Sequence, residues 1–247
     1  MIILSALLIC LCVQGVVAQY YVGAKVGYGG GTARLYPEQE MAYAWGYKSG
    51  GLSWKYYSPE RVVGAVQVDL EFTERGYRIN NYGNNLDSSY FRHLSSVIIP
   101  FSWQPHIYFF NRHLRVFLNA GINISYNFSS SVQLVSAREG PLMSEKWPML
   151  TNRDNRLGYG LSGGLGLGVL TGRLEYFVEG RYYFGYSDIL KNRNVYPTNP
   201  LRSPLDNLNL SFGVFYRLGS GGILSPTQAE IDKRRGKTNT TQFQKKN

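Results

Sequence analysis

The run Gly160-Leu161-Ser162-Gly163-Gly164-Leu165-Gly166-Leu167-Gly168-Val169 repeats every two residues. Leu161, Leu165, Leu167 and Val169 fall on one face of an extended chain, with Gly160, Ser162, Gly164, Gly166 and Gly168 on the other, because successive side chains of a strand point to opposite sides. A helix would need apolar residues at spacings of three and four, so the period selects a strand. The second face is almost bare. A water-facing sheet would carry charge at many of those positions. Glycine and serine suit a crowded interior, where neighbouring side chains need the room.

Working outward, the same dyad recurs seven more times. In Val22-Gly23-Ala24-Lys25-Val26-Gly27-Tyr28 the even positions are apolar. Near 47–57, Leu52, Trp54 and Tyr56 oppose Gly51, Ser53 and Lys55; over 62–78, Val66, Val68, Leu70 and Phe72 oppose Gln67, Asp69, Glu71 and Thr73. A fourth stretch, about 90–106, is less regular and carries Pro100. The fifth, 114–127, sets Leu118, Ala120, Ile122 and Ile124 against Asn119, Gly121, Asn123 and Ser125. The bare-faced run lies in the sixth, 157–170. In the seventh, 173–186, Leu174, Tyr176, Val178 and Tyr182 oppose Glu175, Glu179 and Arg181; in the eighth, 207–218, Leu208, Leu210, Phe212, Val214 and Tyr216 oppose Asn207, Asn209, Ser211 and Arg217.

The charged residues of both signs on the small polar face, Lys25, Lys55, Asp69, Glu71, Glu175, Glu179, Arg181 and Arg217, form an expected lumen network, with Asp69 or Glu71 paired to Arg181 or Lys55. Connectors alternate in length. Those after the second, fourth and sixth stretches are short (58–61, 107–113, 171–172); those after the first, third, fifth and seventh are long (30–46, 79–89, 128–156, 187–206). Aromatics gather at both ends: Tyr20, Tyr21, Tyr56, Tyr57, Trp103, Tyr108, Phe109 and Tyr216 at the short-turn end, and Tyr28, Tyr47, Phe72, Tyr77, Tyr126, Tyr159, Phe184 and Tyr186 at the other. Short turns, long loops and two aromatic girdles specify an all-β, eight-stranded antiparallel up-and-down transmembrane β-barrel, its apolar face toward outer-membrane lipid and its turns toward the periplasm.

Composition agrees with this reading. The 247 residues hold 26 Lys plus Arg, 16 Asp plus Glu, 28 Gly and 20 Tyr. At 17% charged residues the chain falls below the roughly 25% of soluble domains, and its 36 aromatics, 20 Tyr with 12 Phe and 4 Trp, exclude intrinsic disorder. Past residue 18 no apolar run reaches the ~20 residues of a membrane-spanning helix.

Residues 1–18 read as a signal peptide, an apolar stretch ending in Val16-Val17-Ala18. Both cysteines, Cys10 and Cys12, fall within it. The barrel occupies 19–218. Residues 219–247 form a basic tail, six Lys or Arg against two acids, which an even strand count places in the periplasm. There Ser225-Pro226-Thr227-Gln228 resembles a capped helix start, and Lys233, Arg234 and Arg235 before Gly236 are candidate partner-docking residues.

The chain resembles the outer membrane β-barrel family of Bacteroidota that includes PorT-like proteins. The residues concerned are the opening glycine-rich strand Gly23 to Gly30, the run Asp69-Leu70-Glu71-Phe72-Thr73-Glu74-Arg75-Gly76, and Val97-Ile98-Ile99-Pro100, in which Ile98 stands where the family commonly has an acid. The resemblance spans about 19–218. It implies an eight-stranded barrel and, through the PorT-like members, partners in an envelope or protein-secretion assembly. Ligand binding or adhesion by the long loops, above all 128–156, is the alternative.

Catalytic readings are weaker. His93-Leu94-Ser95 puts a histidine and a serine on one strand face, as lipid A deacylases do, but needs a carboxylate that the neighbouring sequence does not supply. His106 and His113 are too isolated for a metal centre. Asp69 with Glu71 reads as structural rather than as an acid–base pair. The glycine runs at 27–30 and 163–168 mimic nucleotide fingerprints without a following helix. Basic residues outside the tail are scattered, which argues against nucleic acid. The expectation is therefore a non-enzymatic barrel with no cofactor and no metal.

Overall fold

The computed structural model describes residues 19–57, 64–82, 88–110 and 113–218. The expected leader, the first short turn and the tail from 219 onward, with Lys233, Arg234 and Arg235, lie outside these described residues. Among the described residues eleven strands form: β1 (Gln19–Ala33), β2 (Met41–Ala42), β3 (Ala44–Tyr57), β4 (Ala65–Asn80), β5 (Ser88–Gln104), β6 (His106–Phe109), β7 (Leu114–Ser136), β8 (Gly140–Lys146), β9 (Leu157–Thr171), β10 (Leu174–Gly185) and β11 (Leu205–Arg217). Eight of them pair antiparallel in the cycle β1–β3–β4–β5–β7–β9–β10–β11, which β11 closes onto β1 with Tyr21 opposite Arg217 and Ala33 opposite Leu205. Closure leaves the ring without an unpaired edge.

Strand parity sorts the side chains as the two-residue period requires. Val26, Leu52, Phe72, Leu118, Ile122, Leu165, Leu210 and Phe212 are all exposed on the outer surface, whereas Lys25, Lys55, Asp69, Glu71, Glu175, Glu179, Arg181 and Arg217 are buried. Charge inside and apolar surface outside is the reverse of a soluble sandwich.

Three departures from the sequence reading have physical causes. The fifth stretch does not stop at 127. Residues Ser129 to Ser136 stay in register with β5, from Ser95 opposite Ser129 to Ser88 opposite Ser136, because the long outer end of β5 needs a partner for its backbone groups. Beyond that, β7 turns into β8 and forms a hairpin inside the segment read as a loop. The connector expected from residue 30 likewise begins later, since Gly29 to Gly31 lie between β3 and β11. A Cβ on Gly29 would collide with the Leu208 carbonyl, and one on Gly30 would stand 2.7 Å from the Trp45 ring. These glycines permit close backbone approach rather than a turn.

The third departure concerns the girdles. Tyr20 stacks on Trp54 at 5.9 Å and meets Tyr56 at 5.3 Å on the outside. Tyr21 and Tyr57, next along their strands, point inward and meet edge-on at 5.0 Å. Tyr47 and Tyr77 are buried as well. Adjacent aromatics on a strand cannot both face lipid, so Tyr21 and Tyr57 turn inward beside Tyr20 and Tyr56, while Tyr47 and Tyr77 share the phase of the inward-facing residues of their strands; these four tyrosines fill the interior instead of a girdle.

Candidate functional site

The interior is built in layers. At the short-turn end Tyr21, Tyr57, Phe117, Leu170, Phe177 and Phe215 form an apolar layer. It fits because the facing positions are glycine. A Cβ on Gly213 would stand 2.5 Å from Phe177 Cζ, one on Gly23 2.6 Å from Phe215 Cδ1, and one on Gly166 would overlap Phe117 Cζ. On the bare face of the sixth sequence stretch, Gly166 is thus a seat for the Phe117 ring.

Above this layer Glu175 gathers two cations. Lys55 Nζ lies 3.2 Å from Glu175 Oε1, Arg115 Nη2 donates to the same oxygen, and the Tyr57 hydroxyl donates to Oε2 at 3.0 Å. Lys55 also sits 3.7 Å over the Phe215 ring and Arg115 4.3 Å over Phe117, which returns part of the solvation both cations lose on burial. Gln104 donates to Gln67 at 2.6 Å, and Gln67 donates to Asp69 at 2.7 Å, linking this layer to the next.

The central layer holds three carboxylates and two cations. Lys25 Nζ contacts Asp69 at 2.7 Å, Glu179 at 3.1 Å and also Glu71. Arg181 reaches Asp69 at 2.8 Å and Glu179 at 3.1 Å. The remaining negative charge is dispersed over neutral donors: Asn119 to Glu179 at 2.9 Å, and the Tyr183 hydroxyl to Glu71 Oε2 at 2.8 Å. Toward the long-loop end lies Arg75, held by Ser96, Ser125 and Asn127. A second apolar cluster, Ala33, Leu35, Tyr77, Ile79, Leu94, Met149, Ile189, Leu190 and Leu205, fills the mouth. Its loop residue Met149 comes from the 147–156 segment, which Asp154 anchors by accepting from Arg92 at 2.6 Å and from Arg153 at 2.8 Å.

Asp154 sits at this mouth outside the spanning strands. Burial alone would raise its pKa; hydrogen bonds from Arg153 and Arg92, the charge of Arg92 and the Leu150 N–H outweigh that and hold it below its ordinary value.

All eight expected lumen residues are therefore placed inside, but one expected pairing is corrected. Lys55 does not reach Asp69 or Glu71. It lies opposite Gln67 on β4, while Asp69 lies opposite Ser53, so Lys55 is one level too near the turns and takes Glu175. Arg217 is buried beside Tyr21, with Nε and Nη1 lacking hydrogen-bond partners among the described residues. The sequence reading omitted Arg75, Arg92, Arg115 and Asp154. Parity signalled two of them, because Arg75 continues the series Asp69, Glu71, Thr73 and Arg115 shares the phase of Asn119. Arg92 lies in the irregular stretch, and Asp154 comes from a loop without a period.

On the outer face, Ser95 lies opposite Glu74 in register. Across the sheet, β4 thus supplies the carboxylate that the neighbouring sequence lacks. His93, however, packs edge-on against Tyr47 at 5.6 Å and lies stacked on Phe91 at 6.1 Å. A nucleophile–base pair would need His93 bonded to Ser95.

An outer membrane protein β-barrel domain model matches residues 18–191. No curated protein matches the chain. Among solved structures the chain is similar to a major outer membrane protein from Thermus thermophilus, at 13% identity and TM-score 0.47 over 81% of this chain and 99% of that one. It is also similar to Neisserial surface protein A, at 13% identity and TM-score 0.42 over 81% and 97%. Ail, the attachment invasion locus protein of Yersinia pestis, aligns at 13% identity and TM-score 0.33 over 80% and 98%. With the closed ring, the outward apolar surface and a family match across most of its strands, the chain belongs to the outer membrane protein β-barrel domain family.

Proposed function

We propose that this outer-membrane barrel is a non-enzymatic accessory subunit of an envelope or protein-secretion assembly, of the PorT-like kind, and that it recruits its partner with the hairpin of β7 and β8. The observation that carries the reading is the state of β8. Its strand partner among the described residues is β7 alone, its residues are mostly exposed, and Leu142 and Met143 present apolar side chains on it. A strand with one open edge is a template for adding a partner's strand. The packed interior also suits a docking body better than a conduit. In this reading the basic tail, with Lys233, Arg234 and Arg235, provides a second, periplasmic contact whose strength falls with salt.

The test is co-purification of the native protein from detergent-solubilised envelopes, compared with a variant carrying Leu142→Lys and Met143→Lys. The variant should insert normally and lose the partner, since charge on an open edge blocks strand addition. Equal partner recovery from both proteins would overturn the hairpin assignment. The same hairpin supports a second reading, adhesion to an external ligand. It predicts no stable envelope partner and hairpin-dependent binding to cells or matrix.

A further inference from the structure

Arg75 is 6% exposed and is held by neutral groups: Nε donates to Ser96 Oγ at 3.0 Å, and Nη2 to Ser125 Oγ at 2.9 Å and Asn127 Oδ1 at 2.6 Å. Lys25, Lys55, Arg115 and Arg181 in the layers below each touch a carboxylate, whereas Arg75 has none among the described residues. Burying a lone cation is costly unless something of opposite sign lies beside it.

The guanidinium lines a small recess under the long loops, together with Asn123, Ser125, Asn127, Gly158 and Tyr183. The free space is about that of one water-sized particle. Glycine at 158 keeps it open, since a Cβ there would stand 2.6 Å from Ser125 Oγ and 3.0 Å from Ser187 Oγ. Asn123 Nδ2 is an independent sign of a missing occupant: the residue is 6% exposed, and this nitrogen has no partner among the described residues. Ser125 Oγ accepts from Arg75, which leaves its hydroxyl proton to donate elsewhere. Nearby acidic and phenolic groups are already engaged. Asp188, also lining the recess, accepts from Arg202 at 3.2 Å and from the Ser203 N–H at 2.6 Å, and the Tyr183 hydroxyl is turned to Glu71.

From the convergence of Arg75, Asn123 and Ser125 on a one-particle recess we infer a binding site for a monoatomic halide anion, for which chloride and bromide are the probes. Water would satisfy the donors but give Arg75 no ion pair; a halide does both. Gly158 makes this room on the same inner face of β9 on which Gly166 seats Phe117.

The experiment uses the full chain refolded in detergent, with its unfolding temperature followed as chloride replaces gluconate at constant ionic strength. The wild type should gain stability saturably with chloride and with bromide, as a site specific to the folded state requires, and bromide-soaked crystals should show an anomalous peak beside Arg75. Arg75→Gln should lose the response. Because that variant can fail to refold, Asn123→Asp serves as the second: its carboxylate supplies the counter-charge permanently, and the barrel should fold with stability independent of chloride. A wild type indifferent to chloride, a bromide peak absent from the recess, or a response given by phosphate and not by chloride would each overturn the assignment.

Discussion

Glu175 is, among the described residues, the one carboxylate that both Lys55 and Arg115 contact, and all three side chains are fully buried. Glu175→Gln would leave two cations facing a neutral amide. Breaking a buried ion pair from one side costs about 3–5 kcal/mol, so this variant should lose its heat-modifiable migration at a markedly lower temperature than the wild type. Glu175→Gln combined with Lys55→Met should recover part of the loss; no recovery would show that the carboxylate is not acting through its charge.

Asp154 gives a pH prediction at the mouth. A carboxylate whose folded pKa is depressed contributes stability at pH above its unfolded value and loses it as pH falls toward the folded one. Here the loss should begin near the ordinary value of 3.8 and grow below it. Hydrogen exchange or limited proteolysis within 147–156 should therefore rise below about pH 4 in the wild type, with the ring intact, while Asp154→Asn should show the open behaviour already at neutral pH.

Strand packing explains why glycine recurs on the inner face. Gly166 is a seat for Phe117 and Gly213 for Phe177, and overfilling a packed interior costs about 1–3 kcal/mol. Gly166→Leu should destabilise the barrel by this order, and the double variant with Phe117→Ala should be nearer wild type than the single change, because the two side chains compete for one space. Additive losses in refolding titrations would count against the pairing. This packing also marks what could be read from the chain alone. Eight strands, their order and their inner and outer faces follow from a two-residue period, since β-pairing in a closed ring fixes parity everywhere. What escaped was whatever parity does not specify. The height at which Lys55 meets Glu175 depends on register between strands 120 residues apart, and the serine run 129–131 looks like a loop until β5 is there to pair with it.

Taken as a whole, the barrel is closed across its bore at several levels. Phenylalanine and tyrosine rings fill one end, the Glu175 and Asp69–Glu71–Glu179 layers fill the middle, and Leu35, Tyr77, Met149 and Ile189 fill the other. An eight-stranded ring has an interior that side chains can occupy completely, and here Lys25, Lys55, Arg115 and Arg181 are tied to Asp69, Glu175 and Glu179 by charge, which opposes their swinging aside as a gate. Removing a single ring from the turn end, as in Phe177→Ala, leaves the ionic layers above it in place. Pure protein in planar bilayers should therefore carry no large, steady current, either as wild type or as Phe177→Ala, while both still show the heat-dependent migration of a folded barrel. Opening should require loss of at least two layers, as in Phe177→Ala combined with Glu179→Ala and Arg181→Ala. Steady single-channel conductance from the unaltered protein would mean that the layers part in the membrane, and the docking role proposed for the hairpin would then have to share the molecule with transport.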